Sequence, residues 1–218
     1  IIVNHLPLVL LSLLTEYEIF AELDGAKQTQ YYNLCYNILT VIPERAFTTI
    51  SNSTIMDISH ISDGSVIEAI KCYYGKVSDP SSFMISDANS IERPYSMEVM
   101  TALILNKTTN IVLSQLHNQL HLNDATKLFI YTYEKIPESN QQAKKIDTID
   151  DELSNTVFGS LKKITETDME YISGLVDLFG NYLCKRMDFI ESIKLLNLLV
   201  QSLWPFLKVP KSQDPAIR

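Results

Sequence analysis

A chain of 218 residues with 46% apolar and 20% charged side chains has ample material for a core and is too apolar for global disorder. Its net charge of −8 and sequence pI near 5.0 weigh against a general nucleic-acid binder, which needs a cationic face to release phosphate counterions. Six glycines are few for this length, which argues against sandwiches and dinucleotide-binding folds, because these spend glycine on turns and phosphate loops.

From Leu6 to Leu14 the chain reads LPLVLLSLL, an almost unbroken apolar run. A membrane-spanning helix needs about twenty such residues, so this run predicts a buried helix with Pro7 in its first turn. The pattern carries it through Ile19, Phe20 and Leu23 to a stop at Asp24-Gly25. A second helix is predicted over 27–42, with Tyr31, Leu34, Cys35, Ile38, Leu39 and Ile42 on one side and Pro43 ending it. Two helices joined across a glycine-containing turn are the first sign of stacked helical pairs.

Between Glu44 and Asp79 the apolar runs are shorter and read as small helices, with a firmer one over 65–74 and a strand pair as the alternative. The segment 77–94, rich in serine, aspartate and proline, predicts a long loop. A helical region follows over 95–121, with a polar interruption at 106–110 that would split it, and then a helix over 124–136 closed by Pro137. The polar stretch 138–152 predicts a linker running into a helix that starts near Thr148 or Asp150.

The clearest stretch is Thr167 to Leu207. Met169, Ile172, Val176, Phe179 and Leu183 recur at helical spacing, and a second stripe restarts as Phe189, Ile193, Leu196, Val200, Leu203 and Leu207. Thr167 with Glu170, and Asp188 with Glu191, have the spacing of capping boxes. These two helices are expected to fold back on each other as an antiparallel hairpin. Pro205, Pro210 and Pro215 mark the exit into a tail.

Chemistry is hard to find in this sequence. His117 and His121 share a helix face as zinc ligands must, but Asn118 stands where a zinc protease needs its glutamate base, and no third ligand can be placed. Asp147, Asp150, Asp151 and Glu152 sit at a helix start, where they serve capping better than magnesium binding. None of the glycines forms a phosphate-binding loop, and no serine or cysteine lies in a nucleophile-elbow context. Gly174 and Gly180 inside a strong helix each cost about 1 kcal/mol relative to alanine, a cost explained by close approach of a neighbouring helix.

The basic residues Lys144-Lys145, Lys162-Lys163, Lys185-Arg186, Lys208 and Lys211 are too scattered for a nucleic-acid patch and read as solvated faces. Cys35, Cys72 and Cys184 lack any Cys-x-x-Cys spacing, so they read as reduced, buried thiols of an intracellular protein, cytoplasmic or nuclear. The glycosylation sequons at Asn52 and Asn106 are short enough to arise by chance. The tyrosines are expected mainly at helix seams, and the Trp204 cluster is expected to pack in the core or as an end cap rather than anchor a partner.

The expected fold is therefore all-α, built of antiparallel helical pairs stacked as an irregular HEAT-like α-solenoid, with a compact helical bundle as the alternative. Residues 1–218 form one domain, with possible subregions 1–137 and 148–207, a polar linker over 138–147 and a tail over 208–218. The expected function is a non-catalytic protein-protein interaction module, a fragment of a larger helical scaffold that opens on Ile1. Expected partners are proteins within a larger complex. No cofactor, metal, catalytic residue or membrane span is expected, and nucleic acid is disfavoured. An RNA-binding helical repeat and an all-α enzyme with an unseen pocket are the alternatives.

Overall fold

A computed structural model of the chain describes residues 5–78, 93–118, 120–137, 147–161, 169–186 and 189–204, and every regular element among them is helical. In chain order these are α1 (Leu6–Thr15), α2 (Tyr17–Ala21), α3 (Gly25–Val41), a 3₁₀ turn (Glu44–Ala46), α4 (Asn52–Ile58) and α5 (Asp63–Ser78). Then come α6 (Met97–Asn118), α7 (Leu122–Lys135), α8 (Asp147–Leu161) and α9 (Met169–Asp177). A π-turn (Leu178–Tyr182) and a 3₁₀ turn (Leu183–Lys185) extend α9, and α10 (Phe189–Leu203) is the last element. The strand alternative for 44–79 is thus replaced by α4 and α5. Of the expected linker over 138–147, residue Asp147 opens α8 and the rest lies outside the described residues, as do the tail over 208–218, the loop residues 79–92 and the capping-box residues Thr167 and Asp188.

The helices stack in pairs. In the first pair, α1 and α3 pack on each other, with the Tyr31 hydroxyl donating to the Leu13 carbonyl at 3.1 Å. In the second, α7 turns back directly after α6 and packs along it. The two pairs lie side by side, α6 on α1 and α7 on α3. Helices α3 and α7 run parallel: Tyr32 in the middle of α3 meets His121 just before α7, Tyr36 one turn on meets Tyr131, and Lys135 donates to the Ile42 carbonyl at their C-terminal ends. The third layer repeats the scheme, with α8 on α6 and α9 on α7. Tyr171 at the start of α9 and Ser160 at the end of α8 both donate to the Leu116 carbonyl near the end of α6, at 3.2 and 3.4 Å. One row is therefore α1, α6, α8 and the other α3, α7, α9. Helix α10 packs on α8 and continues the first row.

This corrects the expected C-terminal hairpin. Helix α10 finds its main contact on α8, and α9 lies along α7. The sequence stripe of α9 was too narrow: Tyr171, Ile172, Leu175, Leu178, Phe179, Tyr182 and Leu183 are all buried, whereas Val176 is exposed. A face that wide serves more than one neighbour.

Three local expectations also change. The first helix breaks at Glu16, where the backbone leaves helical geometry just after the Thr15 hydroxyl bonds back to the Leu11 carbonyl. Gln28 then caps the end of α2, donating to the Ala21 and Leu23 carbonyls at 2.8 Å each. The polar residues 106–110 do not split α6. Thr108 and Thr109 are buried with their hydroxyls bonded to the Ile104 and Leu105 carbonyls, so the helix satisfies them internally and runs unbroken. Leu34, expected inward on α3, is 48% exposed.

Helices α4 and α5 are an excursion between the first two pairs, α5 packing on α1 and α4 on α6. Glu98 in the first turn of α6 holds the start of α4: one carboxylate oxygen accepts from the Ser51 amide, the Ser51 hydroxyl and the Thr54 hydroxyl, the last at 2.6 Å. The Thr54 bond, followed by those from Ser51, lowers the Glu98 pKa from the usual carboxylate value.

Close approach explains one of the two glycines singled out above. A Cβ at Gly174 would lie 2.7 Å from the Asn123 nitrogen and 2.8 Å from the Leu122 carbonyl carbon, so α9 crosses the start of α7 backbone against backbone. At Gly180, inside the π-turn, a Cβ would meet nothing within 4 Å. Gly174→Ala should destabilise the protein by about 1–3 kcal/mol through forced separation of α7 and α9. Gly159→Ala, in α8 and open to space, should stabilise it by about 0.5–1 kcal/mol. Chemical denaturation of both variants checks the pair; equal midpoints would contradict the close approach.

Candidate docking surface

Helix α10 carries two apolar stripes. Leu195, Leu199 and Leu203 are buried against α8, four residues apart. Ile190, Ile193, Leu196, Val200 and Trp204 are 65%, 41%, 44%, 48% and 61% exposed. At about 100° per residue these five fall within an arc about 120° wide, adjoining the buried stripe. Scattered exposed apolar residues are ordinary on a soluble protein, but a contiguous row ending in tryptophan is the surface signature of a binding face. The sequence reading put Trp204 in the core or an end cap and Ile193, Leu196 and Val200 on the inner face. Both are corrected, because the inner face belongs to Leu195, Leu199 and Leu203, the first two one position before Leu196 and Val200.

Among the described residues, two shallow grooves lie elsewhere. Tyr36 of α3, Tyr131 of α7 and Asp177 of α9 line one of about 180 Å³; Thr15, Asp63 and Lys107 line another of about 160 Å³. Small-molecule sites usually enclose about 300–1,000 Å³, so neither has the size of a substrate pocket.

The third layer is joined by a buried polar node. Arg186 Nε donates to both Asp150 carboxylate oxygens, at 2.9 and 2.8 Å, and Tyr182 donates to Asp150 Oδ1 at 2.7 Å. Arg186 Nη1 also donates to the Tyr133 hydroxyl, and the guanidinium lies 5.2 and 5.5 Å from the Tyr133 and Tyr182 ring centres. One side chain thereby ties α7, α8 and the end of α9. Burial is the largest influence and opposes the Arg186 charge, but the bond to Asp150 together with the attraction of Tyr182, Asp150 and Tyr133 outweighs it and the pKa is raised. Burial, reinforced by the Asp150 carboxylate, pushes the Tyr182 hydroxyl up as well.

Sequence reasoning missed this node. Asp150 was grouped with capping acids and Arg186 with solvated cations, whereas both side chains are almost entirely buried. Asp151 and Glu152 are exposed, as capping or solvated acids would be. Lys185 is exposed, and Lys144, Lys145, Lys162, Lys163, Lys208 and Lys211 lie outside the described residues.

His117 and His121 do not converge. His117 is exposed with Nδ1 against the Leu113 carbonyl at 2.7 Å, whereas His121 turns inward to the Tyr32 ring and to Asp124 and Glu170. Of the cysteines only Cys35 is buried, and burial pushes its thiol up to about 12; Cys72 and Cys184 are exposed, against expectation. The tyrosines largely follow the seam reading: Tyr31, Tyr32, Tyr73, Tyr171 and Tyr182 are buried, and Tyr36 reaches the surface.

The comparisons agree with this architecture. Residues 1–74, covering α1 to α4 and most of α5, match the family model described as the DOP1 middle TPR domain. Over 221 aligned residues the chain is 36% identical to Protein DOP1 of Saccharomyces cerevisiae, which spans 98% of this chain but only 13% of that protein. No solved structure matches the chain. TPR repeats, like HEAT repeats, stack helical pairs, and the three layers described above are such a stack. Among the described residues no helix is long and apolar enough to cross a membrane.

The node makes a quantitative prediction. Asp150→Ala strands the Arg186 charge in the interior and should cost about 3–5 kcal/mol. Asp151→Ala, exposed one residue away, should stay within about 0.5 kcal/mol. Urea unfolding of both variants distinguishes a structural node from a solvated acid cluster; equal midpoints would contradict the node.

Proposed function

We propose that this chain is a non-catalytic protein-interaction segment of a helical-repeat scaffold, and that the outward row of α10 docks an amphipathic helix of a protein partner. The observation that carries this reading is that row itself. In the first two layers each first-row helix packs against a second-row helix, whereas α10 has α8 on one side and an open apolar arc on the other. A helix laid antiparallel along α10 would fill the second-row position and bury Ile193, Leu196 and Val200, with Trp204 as the anchor.

The similarity to Protein DOP1 supports a scaffold role, since TPR stacks present extended surfaces to other proteins. The small groove volumes favour docking over turnover of a small substrate. An intracellular setting accords with two exposed cysteine thiols that lie outside any disulfide. The net charge of −8 favours a protein partner over RNA.

Site-specific photo-crosslinking in cells tests the proposal. A photoreactive residue at Leu196 in the full-length protein should give a discrete adduct with a second polypeptide, lost when Val200 and Trp204 are both changed to aspartate. The same probe at exposed His117 should give no such adduct. An adduct confined to the protein's own chain, an adduct with nucleic acid, or no adduct at Leu196 would overturn the docking reading.

A further inference from the structure

The corner between α6 and α7 holds a group of side chains that the docking surface does not use. His121 precedes α7, Asp124 lies in its first turn, and Glu170 lies in the first turn of α9. One ligating atom from each falls within 4.8 Å of the other two. What brings Glu170 there is the glycine contact. Glu170 and Gly174 are one helical turn apart on the same face of α9, and Gly174 rests on the backbone of Leu122 and Asn123. The close crossing therefore delivers a carboxylate to the corner.

Two polar atoms of this corner are buried without a hydrogen-bond partner, His121 Nδ1 and Asn123 Oδ1. The nearest charge to His121 Nδ1 is Asp124 Oδ2 at 3.9 Å, beyond hydrogen-bond distance. An orphaned imidazole nitrogen is destabilising unless something completes it.

We propose that His121, Asp124 and Glu170 form a three-ligand site for a divalent cation of the zinc class, clamping the start of α9 to the α6–α7 corner. The donor set is one imidazole nitrogen and two carboxylates, which suits zinc better than calcium or magnesium, whose sites are built from oxygen alone. Three protein ligands and a water complete a tetrahedron. Bonds of about 2.0–2.2 Å put tetrahedral ligand atoms about 3.3–3.6 Å apart, so the group closes by at most about 1.5 Å, a rotamer adjustment for the exposed Glu170 side chain. The starts of α7 and α9 each present about half a positive charge, which opposes a cation; two full carboxylate charges outweigh them. The role is structural, because no residue of the corner is placed as a general base.

Isothermal titration of the 218-residue chain with Zn²⁺, and separately with Co²⁺ followed by visible absorption, tests the site. The expected result is one ion per chain with a dissociation constant of about 10 µM or tighter and the intense bands of tetrahedral cobalt. His121→Ala should abolish both signals, and Glu170→Gln should weaken binding by about tenfold or more while leaving the circular dichroism spectrum unchanged. His117→Ala should bind as the parent does. Absence of saturable binding, or binding that Glu170→Gln and His121→Ala leave unaltered, would overturn the assignment.

Discussion

The arrangement depends on how closely α9 can approach α7. At Gly174 the two helices touch through backbone atoms, so their separation is set by the missing side chain rather than by packing of large ones. That single contact fixes where the rest of α9 falls. Leu175 and Leu178 enter the core, and Tyr182 meets Phe129 and Tyr133 of α7 with ring centres 4.8 and 4.9 Å apart. Glycine inside a helix is costly, and here the cost is offset by the buried face it makes possible.

Once α9 is seated, the chemistry of the third layer follows. The end of α9 carries Arg186 to Asp150 of α8, and the start of α9 carries Tyr171 to the Leu116 carbonyl of α6. Both bonds satisfy groups that burial would otherwise leave stranded. The layer is held by polar anchors at its two ends and leucines between them, with Leu153, Val157 and Leu161 of α8 all buried. Helix α10 then lies on α8 by one stripe of leucines, and its second stripe faces out.

Periodicity made the helical class and the pairing of α1 with α3 legible, because apolar residues at three-and-four spacing require a neighbour on one side. It could not say which neighbour. A helix in a stack has two or three, so the stripes of α9 and α10 ran wide, and choosing a single face misassigned Val176, Ile193, Leu196 and Val200. Polar residues misled for a related reason. Thr108 and Thr109 looked like a break, yet a hydroxyl can be satisfied by its own helix. Asp150 and Arg186 looked solvated, since nothing in a single sequence links two charges 36 positions apart. His121 was noticed with His117 because they share a helical spacing, whereas its neighbours Asp124 and Glu170 are brought to it by the α6–α7 corner and the glycine crossing.

Stacked layers imply a gradient of local stability, since each pair is supported by its neighbours. Helices α6 and α7 have a layer on both sides, and α10 has one. Hydrogen exchange along the chain, read by mass spectrometry, tests this directly. The amides of α6 and α7 should exchange slowest, with α9 close behind and α10 fastest among the longer helices. Amides of α10 protected as strongly as those of α6, or α6 exchanging among the fastest, would contradict a stack centred on the second pair.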